Sequence, residues 1–243
     1  MNLIIDIGNT RIKCAVFEGE KLVEHFSYPG MDQSMFNEIF ENFPPINKAI
    51  ITATRAYDSW IDELLESRVD QFVKFNPDTP VPITNNYESP RTLGLDRLAA
   101  AVGAATMYPN KNILIIDAGT AITYEFVDAE LGYLGGNIAP GLQMRLKALN
   151  HYTGKLPLVE VSEDFKKIGK TTQGAILAGV VNGMIYEMDG TIDHFRSKCR
   201  DIRVILTGGD SIFFDKKLKN SIFVNLNLTL IGLNGILEYN VTC

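Results

Sequence analysis

Several common chemistries lack their raw materials in this chain. Cys14, Cys199 and Cys243 are odd in number and widely scattered, which supports neither a disulfide framework nor a zinc site. His25, His151 and His194 stand apart without metal-ligand spacing, so histidine chemistry is not expected. No apolar run approaches the ~20 residues of a membrane span, and no basic segment leads an apolar core at the N-terminus. These readings predict reduced thiols, a cytoplasmic setting and no membrane partner. Positive charge is scarce as well, with a net charge of -6 and a pI near 5.2. No basic face dominates, so nucleic acid is not expected as a partner. The 243 residues, 46% hydrophobic and 21% charged, suit one large domain or two smaller ones.

What the chain does have is an internal echo. Met1 to Lys13 reads MNLIIDIGNTRIK, and Asn112 to Thr123 reads NILIIDAGTAIT. Each copy is an apolar strand ending in Asp-x-Gly and a turn, followed by a second strand-like run. Two such matches in corresponding places predict two related lobes. Gly8 and Gly119 let the backbone turn without a Cβ, so backbone N–H groups can approach an anion closely. Thr10 and Thr120 add hydroxyl donors. Asp6 and Asp117 place hard oxygen ligands at strand ends, where Mg²⁺ on a nucleotide's phosphates can be held directly or through water. The plain alternative is a pair of Asp-bearing β-turns with no ligand.

Pattern reading along the chain predicts strands at 3–8, 11–18 and 21–27, a helix at 31–43, a strand at 48–52, a helix at 57–67 and a strand at 71–75. Trp60 is expected to anchor its helix in the core. A Pro-punctuated stretch, 76–91, then delivers the chain to Gly94-Leu95-Asp96-Arg97 and a helix to Met107 built of small residues. The lobe boundary falls there: 1–110 carries the first phosphate loop and the acceptor site, and 111–243 the second loop. The second lobe repeats the meander at 112–117, 121–127 and 132–138. Helices follow at 142–149, 171–198, 211–219 and 228–239, with strands at 203–206 and 222–224. In the long helix Ala175, Gly179 and Gly183 recur every fourth residue, a stripe for close packing within the chain or against a second copy. Gly169-Lys170-Thr171 imitates the end of a Walker A loop. The glycine required earlier is Asp164, and no buried strand leads in, so it is not a P-loop.

Phosphoryl transfer needs a polyphosphate cradle, a cation and a group to take the nucleophile's proton. The paired loops supply the first two. Asp96 is the candidate for the third, with helix N-capping as its competing role. Arg97 has a fork suited to a carboxylate.

In order, Asp6-Ile7-Gly8-Asn9-Thr10 with Lys13, Gly94-Leu95-Asp96-Arg97, Asp117-Ala118-Gly119-Thr120-Ala121 and Thr207-Gly208-Gly209-Asp210 resemble the type III pantothenate kinases. These belong to the superfamily of acetate and sugar kinases, heat-shock ATPases and actin. The resemblance implies an α/β fold of two ribonuclease-H-like lobes, each a mixed sheet opening with an antiparallel meander and flanked by helices. It implies ATP-dependent phosphorylation of the primary hydroxyl of pantothenate, the first step of coenzyme A biosynthesis, by a homodimer. Asp96 then matches the general base, and Tyr87, Gly94, Leu95, Arg97 and Thr172 match residues around pantothenate. Asp6, Ile7, Gly8, Asn9, Thr10, Arg11, Ile12 and Lys13 match the first ATP-phosphate loop, with Asp6 expected near Mg²⁺ through water. Thr120 matches a phosphate contact, Gly208 and Gly209 the adenosine side, and Asp117 the ligand of a monovalent cation, K⁺ or NH₄⁺. A kinase for another small hydroxy acid, and a nucleotide-switched regulatory or binding protein, are the alternatives within the superfamily.

Overall fold

The computed structural model describes residues 1–199 and 201–241; Cys243 lies outside them. Two five-stranded mixed sheets flanked by helices carry the chain, the α/β arrangement expected from the repeat. In the first sheet β1 (Asn2–Ile7), β2 (Ile12–Glu18) and β3 (Lys21–Tyr28) form the antiparallel meander. Parallel β4 (Lys48–Ala53) and β5 (Gln71–Lys74) extend it from the other edge of β1, giving the order β3-β2-β1-β4-β5. The second sheet contains β6 (Ile113–Ala118), β7 (Ala121–Asp128), β8 (Gly132–Pro140), β9 (Arg203–Thr207) and β10 (Phe223–Val224). Its order, β8-β7-β6-β9-β10, is the same element for element.

The helices are α1 (Gln33–Asn42), α2 (Trp60–Arg68), α3 (Leu95–Met107), α4 (Leu142–His151), α5 (Thr172–Lys198), α6 (Ser211–Asp215) and α7 (Leu228–Val241). Both central strands carry continuous buried apolar runs, Leu3-Ile4-Ile5 and Ile113-Leu114-Ile115-Ile116. On the first sheet Leu3, Ile5 and Ile7 pack with Met35, Phe36 and Ile39 of α1 and Ile61 and Leu65 of α2. Trp60 meets Phe36 edge-on at 5.8 Å, in its expected role as an anchor. On the second sheet Leu114, Ile116 and Ala118 pack with α4 and α5 through Leu142, Leu146, Val181 and Met184.

Two compact units result. One comprises residues 1–109, 130–134 and the chain from Asn227 onward; the other comprises 110–129 and 135–226. The expected boundary after residue 110 assigns α7 to the second lobe, whereas in the structure α7 belongs to the first unit. The reason is packing and hydrogen bonding. A Cβ on Gly232 of α7 would lie 1.8 Å from the Ala99 carbonyl oxygen, and one on Gly103 of α3 2.3 Å from that of Leu228. The small residues of α3 therefore do serve a close helix pair, and its partner is α7. The buried Asn2 amide donates to Asn234 Oδ1 and Glu238 Oε1 at 2.8 and 2.6 Å, fixing α7 on the even-numbered face of β1.

One other element differs from expectation. The predicted helix over 211–219 stops at Asp215. The buried Asp189 carboxylate of α5 accepts the N–H groups of Lys219 and Asn220 and the Asn220 amide, which holds that segment away from helical geometry.

Candidate active site

Sequence register builds a row of polar side chains into the first sheet. Asp6 lies opposite Lys13 on β2 and beside Thr52 on β4, so the three share one face. Four residues, Gly8 to Arg11, connect β1 to β2. The Gly8 N–H is committed to the turn, donating to the Arg11 carbonyl at 3.0 Å. Asn9 and Thr10 are exposed at its tip, whereas Ile7 and Ile12 are core residues flanking it. The Arg11 side chain turns toward the neighbouring strand instead. Its Nε and Nη2 donate to the hydroxyl and carbonyl of Ser27 on β3, at 2.6 and 2.8 Å. The Cys14 thiol is pushed up to about 12 by burial and then by the Asp6 carboxylate, which keeps it an inert core group.

The second sheet repeats the row with different chemistry. Asp117 lies opposite Thr123 and beside Thr207. Only Gly119 and Thr120 connect β6 to β7, and the Gly119 N–H donates to the Ala121 carbonyl at 3.0 Å. This turn is enclosed by glycines from elsewhere in the unit. A Cβ on Gly141, at the start of α4, would lie 2.3 Å from the Gly119 carbonyl oxygen. Gly208 has φ +92°, and a Cβ there would lie 2.4 Å from both Asp117 Oδ1 and the Ala118 oxygen. Gly209 by contrast faces open space. Asp210 donates its N–H to Ala118, and burial raises its carboxyl above the ordinary range. Behind this, Tyr124 donates to Glu187 at 2.7 Å and Arg145 ion-pairs with Glu187 at 2.6 Å, joining β7, α4 and α5.

The residues expected around the acceptor, Gly94 to Arg97, gather at the start of α3, in the first unit. Gly94 is the N-cap and Leu95 the first helical residue, so Asp96 sits inside the first turn and not at the N-cap position. Its Oδ1 accepts the Arg97 N–H at 2.9 Å, and a side chain at Gly94 would collide with that same oxygen at 2.6 Å. The helix N-terminus favours a carboxylate at this place. Arg97 is 8% exposed, its guanidinium 5.5 Å from the Tyr87 ring centroid. Tyr87 in turn stacks on Tyr133 at 6.2 Å, a partner that pattern reading did not single out. The bridge Asn85–Tyr133 holds both rings in place. Thr172 opens α5 in the other unit, exposed and next to Thr171, whose hydroxyl oxygen accepts the Gly174 N–H as the N-cap. Gly169-Lys170-Thr171 is thus a capping turn, with Gly169 pressed against the backbone of Ala175.

Among the described residues there is no group of three or more His, Cys, Asp or Glu side chains able to hold a metal. Asp6 and Asp117 are each a single hard carboxylate beside a turn. That donor set fits a cation shared with phosphate oxygens and water better than one caged by protein alone. Gly208 brings its backbone against Asp117 so closely that any side chain there would collide with the carboxylate, while Gly209 beside it leaves the space in front open.

Residues 2–194 match the family model of type III pantothenate kinase. A type III pantothenate kinase of Phocaeicola vulgatus is 44% identical over 240 residues, 99% of both chains. That of Christiangramia forsetii is 45% identical over 246 residues, spanning both chains completely. Among solved structures, a Campylobacter jejuni protein assigned to the Baf family of transcriptional activators superposes with a TM-score of 0.59. It is 23% identical and covers 99% of this chain and 100% of its own. The ethanolamine utilization protein EutJ of Carboxydothermus hydrogenoformans gives 0.53 at 12% identity, covering 96% and 89%. At such identities the structures speak for the fold alone.

Proposed function

This chain belongs to the type III pantothenate kinase family, and on that premise we propose which of its residues carry the reaction. The enzyme phosphorylates pantothenate with ATP, the entry step of coenzyme A biosynthesis. In our reading the Asp96 carboxylate takes the proton of the primary hydroxyl as its oxygen bonds to the terminal phosphorus of ATP. The bond from that phosphorus to the bridging oxygen breaks, and ADP leaves with the electron pair.

The observation that supports this division is the geometry at the start of α3. Asp96 and Arg97 are neighbours in one helical turn, the carboxylate positioned by the Arg97 N–H and the guanidinium buried under Tyr87. Pantothenate has a carboxylate at one end and a primary hydroxyl at the other, so Arg97 and Tyr87 hold one end and Asp96 serves the other. Gly94 and Leu95 line the approach, and Thr172 contributes a hydroxyl to pantothenate. Gly8 to Lys13, Thr120 and the Gly208-Gly209 cradle hold ATP. A divalent cation, Mg²⁺, offsets phosphate charge when bound, and Asp6 holds it through water; Asp117 holds a monovalent cation, K⁺ or NH₄⁺.

The enzyme works as a homodimer in this reading. Cβ atoms built on Gly179 and Gly183 meet nothing within 4 Å, so these two positions of the stripe on α5 face open space. Sedimentation of the wild-type protein as a monomer removes the dimer.

Asp96→Asn tests the assignment of the base. Asparagine still accepts the Arg97 N–H, so thermal unfolding stays near that of the wild type. Turnover falls by about 100-fold or more, the usual contribution of a general base. Retained turnover means that another group takes the proton. ATP consumption with and without pantothenate separates this enzyme from one acting on another acceptor or from a switch.

A further inference from the structure

A two-residue strap closes on the first phosphate turn, and it contains an arginine that the motifs do not include. Thr54 donates its N–H and its hydroxyl to the Ile7 carbonyl, at 3.0 and 3.2 Å. Arg55 Nε donates to the Gly8 carbonyl at 3.1 Å. The sheet explains the placement: β1 and β4 are parallel with Ile7 beside Ala53, so the chain leaving each strand emerges side by side. Ligands of open α/β sheets collect at this edge, outside the carboxyl ends of parallel strands.

Arg55 differs from the other arginine at this turn. Arg11 is committed to Ser27 through two nitrogens. Arg55 is exposed, and its single hydrogen bond uses Nε, leaving both terminal nitrogens without a hydrogen bond among the described residues. The Asp62 carboxylate near it is already engaged, since it accepts Tyr57 at 2.7 Å and Lys74 at 2.6 Å. A guanidinium anchored at Nε with both ends of its fork available matches two oxygens of a phosphoryl group.

We propose that Arg55 contacts the terminal phosphoryl group of bound ATP and stabilises the charge on its oxygens during transfer, an inference that rests on the kinase reading above. The anchoring bond to Gly8 makes the group preorganised, so little rearrangement is needed as charge develops.

Titration of the full chain with ATP and with ADP, combined with steady-state kinetics, tests this in wild type, Arg55→Gln and Arg55→Lys. Arg55→Gln is expected to bind ATP about ten-fold more weakly, the loss of one charge-assisted bond. ADP, which lacks the terminal group, binds as before, and the Michaelis constant for pantothenate does not move. Turnover falls by about 100-fold, and Arg55→Lys recovers part of the ATP affinity through its charge. Equal weakening of ATP and ADP overturns the proposal, because a strap that merely shapes the turn affects both. Unchanged ATP affinity and turnover overturn it as well, and so does an effect confined to pantothenate. If the wild type itself fails to phosphorylate pantothenate, the kinase reading falls; a working wild type with an unaffected Arg55→Gln sinks the arginine alone.

Discussion

The two Asp-x-Gly hairpins share strand order and a buried approach, and they part at the turn. Four residues join β1 to β2, with Lys13 opposite Asp6; two residues join β6 to β7, with Thr123 opposite Asp117. The first turn is strapped by hydrogen bonds from Thr54 and Arg55. The second is boxed in by glycine backbones at 141 and 208. A duplicated frame thus carries two differently built turns. One turn is long, has a lysine opposite its aspartate and is held in part by side chains that can adjust. The other is short, lacks a cation opposite its aspartate and is held by backbone contacts that cannot.

The largest expected effect lies in the rigid half. Gly208→Ala must adopt φ +92° and place a methyl 2.4 Å from two oxygens. Left-handed backbone and a steric clash each cost about 1–3 kcal/mol, so the variant loses at least about 2 kcal/mol of stability. Protein that folds binds ATP more weakly, because Asp117 and the cradle are displaced together. Thermal unfolding coupled to nucleotide titration measures both losses. An unaltered melting temperature contradicts the view that this half is held by close backbone approach.

A matched pair of substitutions compares the two turns directly. Gly141→Ala sets a methyl 2.3 Å from the Gly119 oxygen and 2.4 Å from that of Thr120, with backbone on both sides. Gly8→Ala meets only the Arg11 oxygen, at 3.0 Å, across an exposed turn that can yield by a few tenths of an ångström. The Michaelis constant for ATP should rise about ten-fold for Gly141→Ala and about two-fold for Gly8→Ala, following the cost of overpacking in rigid and in yielding surroundings. The reverse order breaks the comparison.

Much of this was legible in the residues. The repeated Asp-x-Gly, the bounds of α3 and the start of α5 follow from punctuation: small turn residues, a capping threonine and helical period. Partners at long range were less visible. The apolar surface of α7 runs nearly all round, so its sequence does not say which sheet it joins; Gly232 and Asn234 decide that only once Gly103 and Asn2 are in place. The end of α6 depends on Asp189, which is more than twenty positions away. Within the candidate site Asp96, Arg97 and Tyr87 come together in one unit, whereas the Arg11 side chain turns to Ser27 instead of the turn it belongs to. Arg55 has no motif around it. Its only signal is its position, two residues past a strand parallel to β1.

The smallest effect concerns how each unit ties down its long helix through one glutamate. In the second unit Glu187 of α5 receives Tyr124 and Arg145. In the first, Glu238 of α7 receives Asn2 at 2.6 Å and Lys48 at 2.9 Å. Burial alone pushes the Glu238 carboxyl up, but the bonds from Asn2 and Lys48 outweigh it and hold the group below its ordinary value of 4.5. A carboxyl depressed in the folded state contributes fully above that value, and the contribution disappears as pH falls through the folded pKa. Lys48 and Glu238 are 28% and 33% exposed, so solvent screening limits the gain. Glu238→Gln should therefore cost about 0.5–1 kcal/mol at pH 7, a cost that shrinks as pH falls from 4.5 through the lowered folded pKa. Denaturant unfolding of both proteins across that range gives the difference at each pH. A cost that stays constant with pH would mean that shape and neutral hydrogen bonding, not charge, dock α7 onto the first sheet.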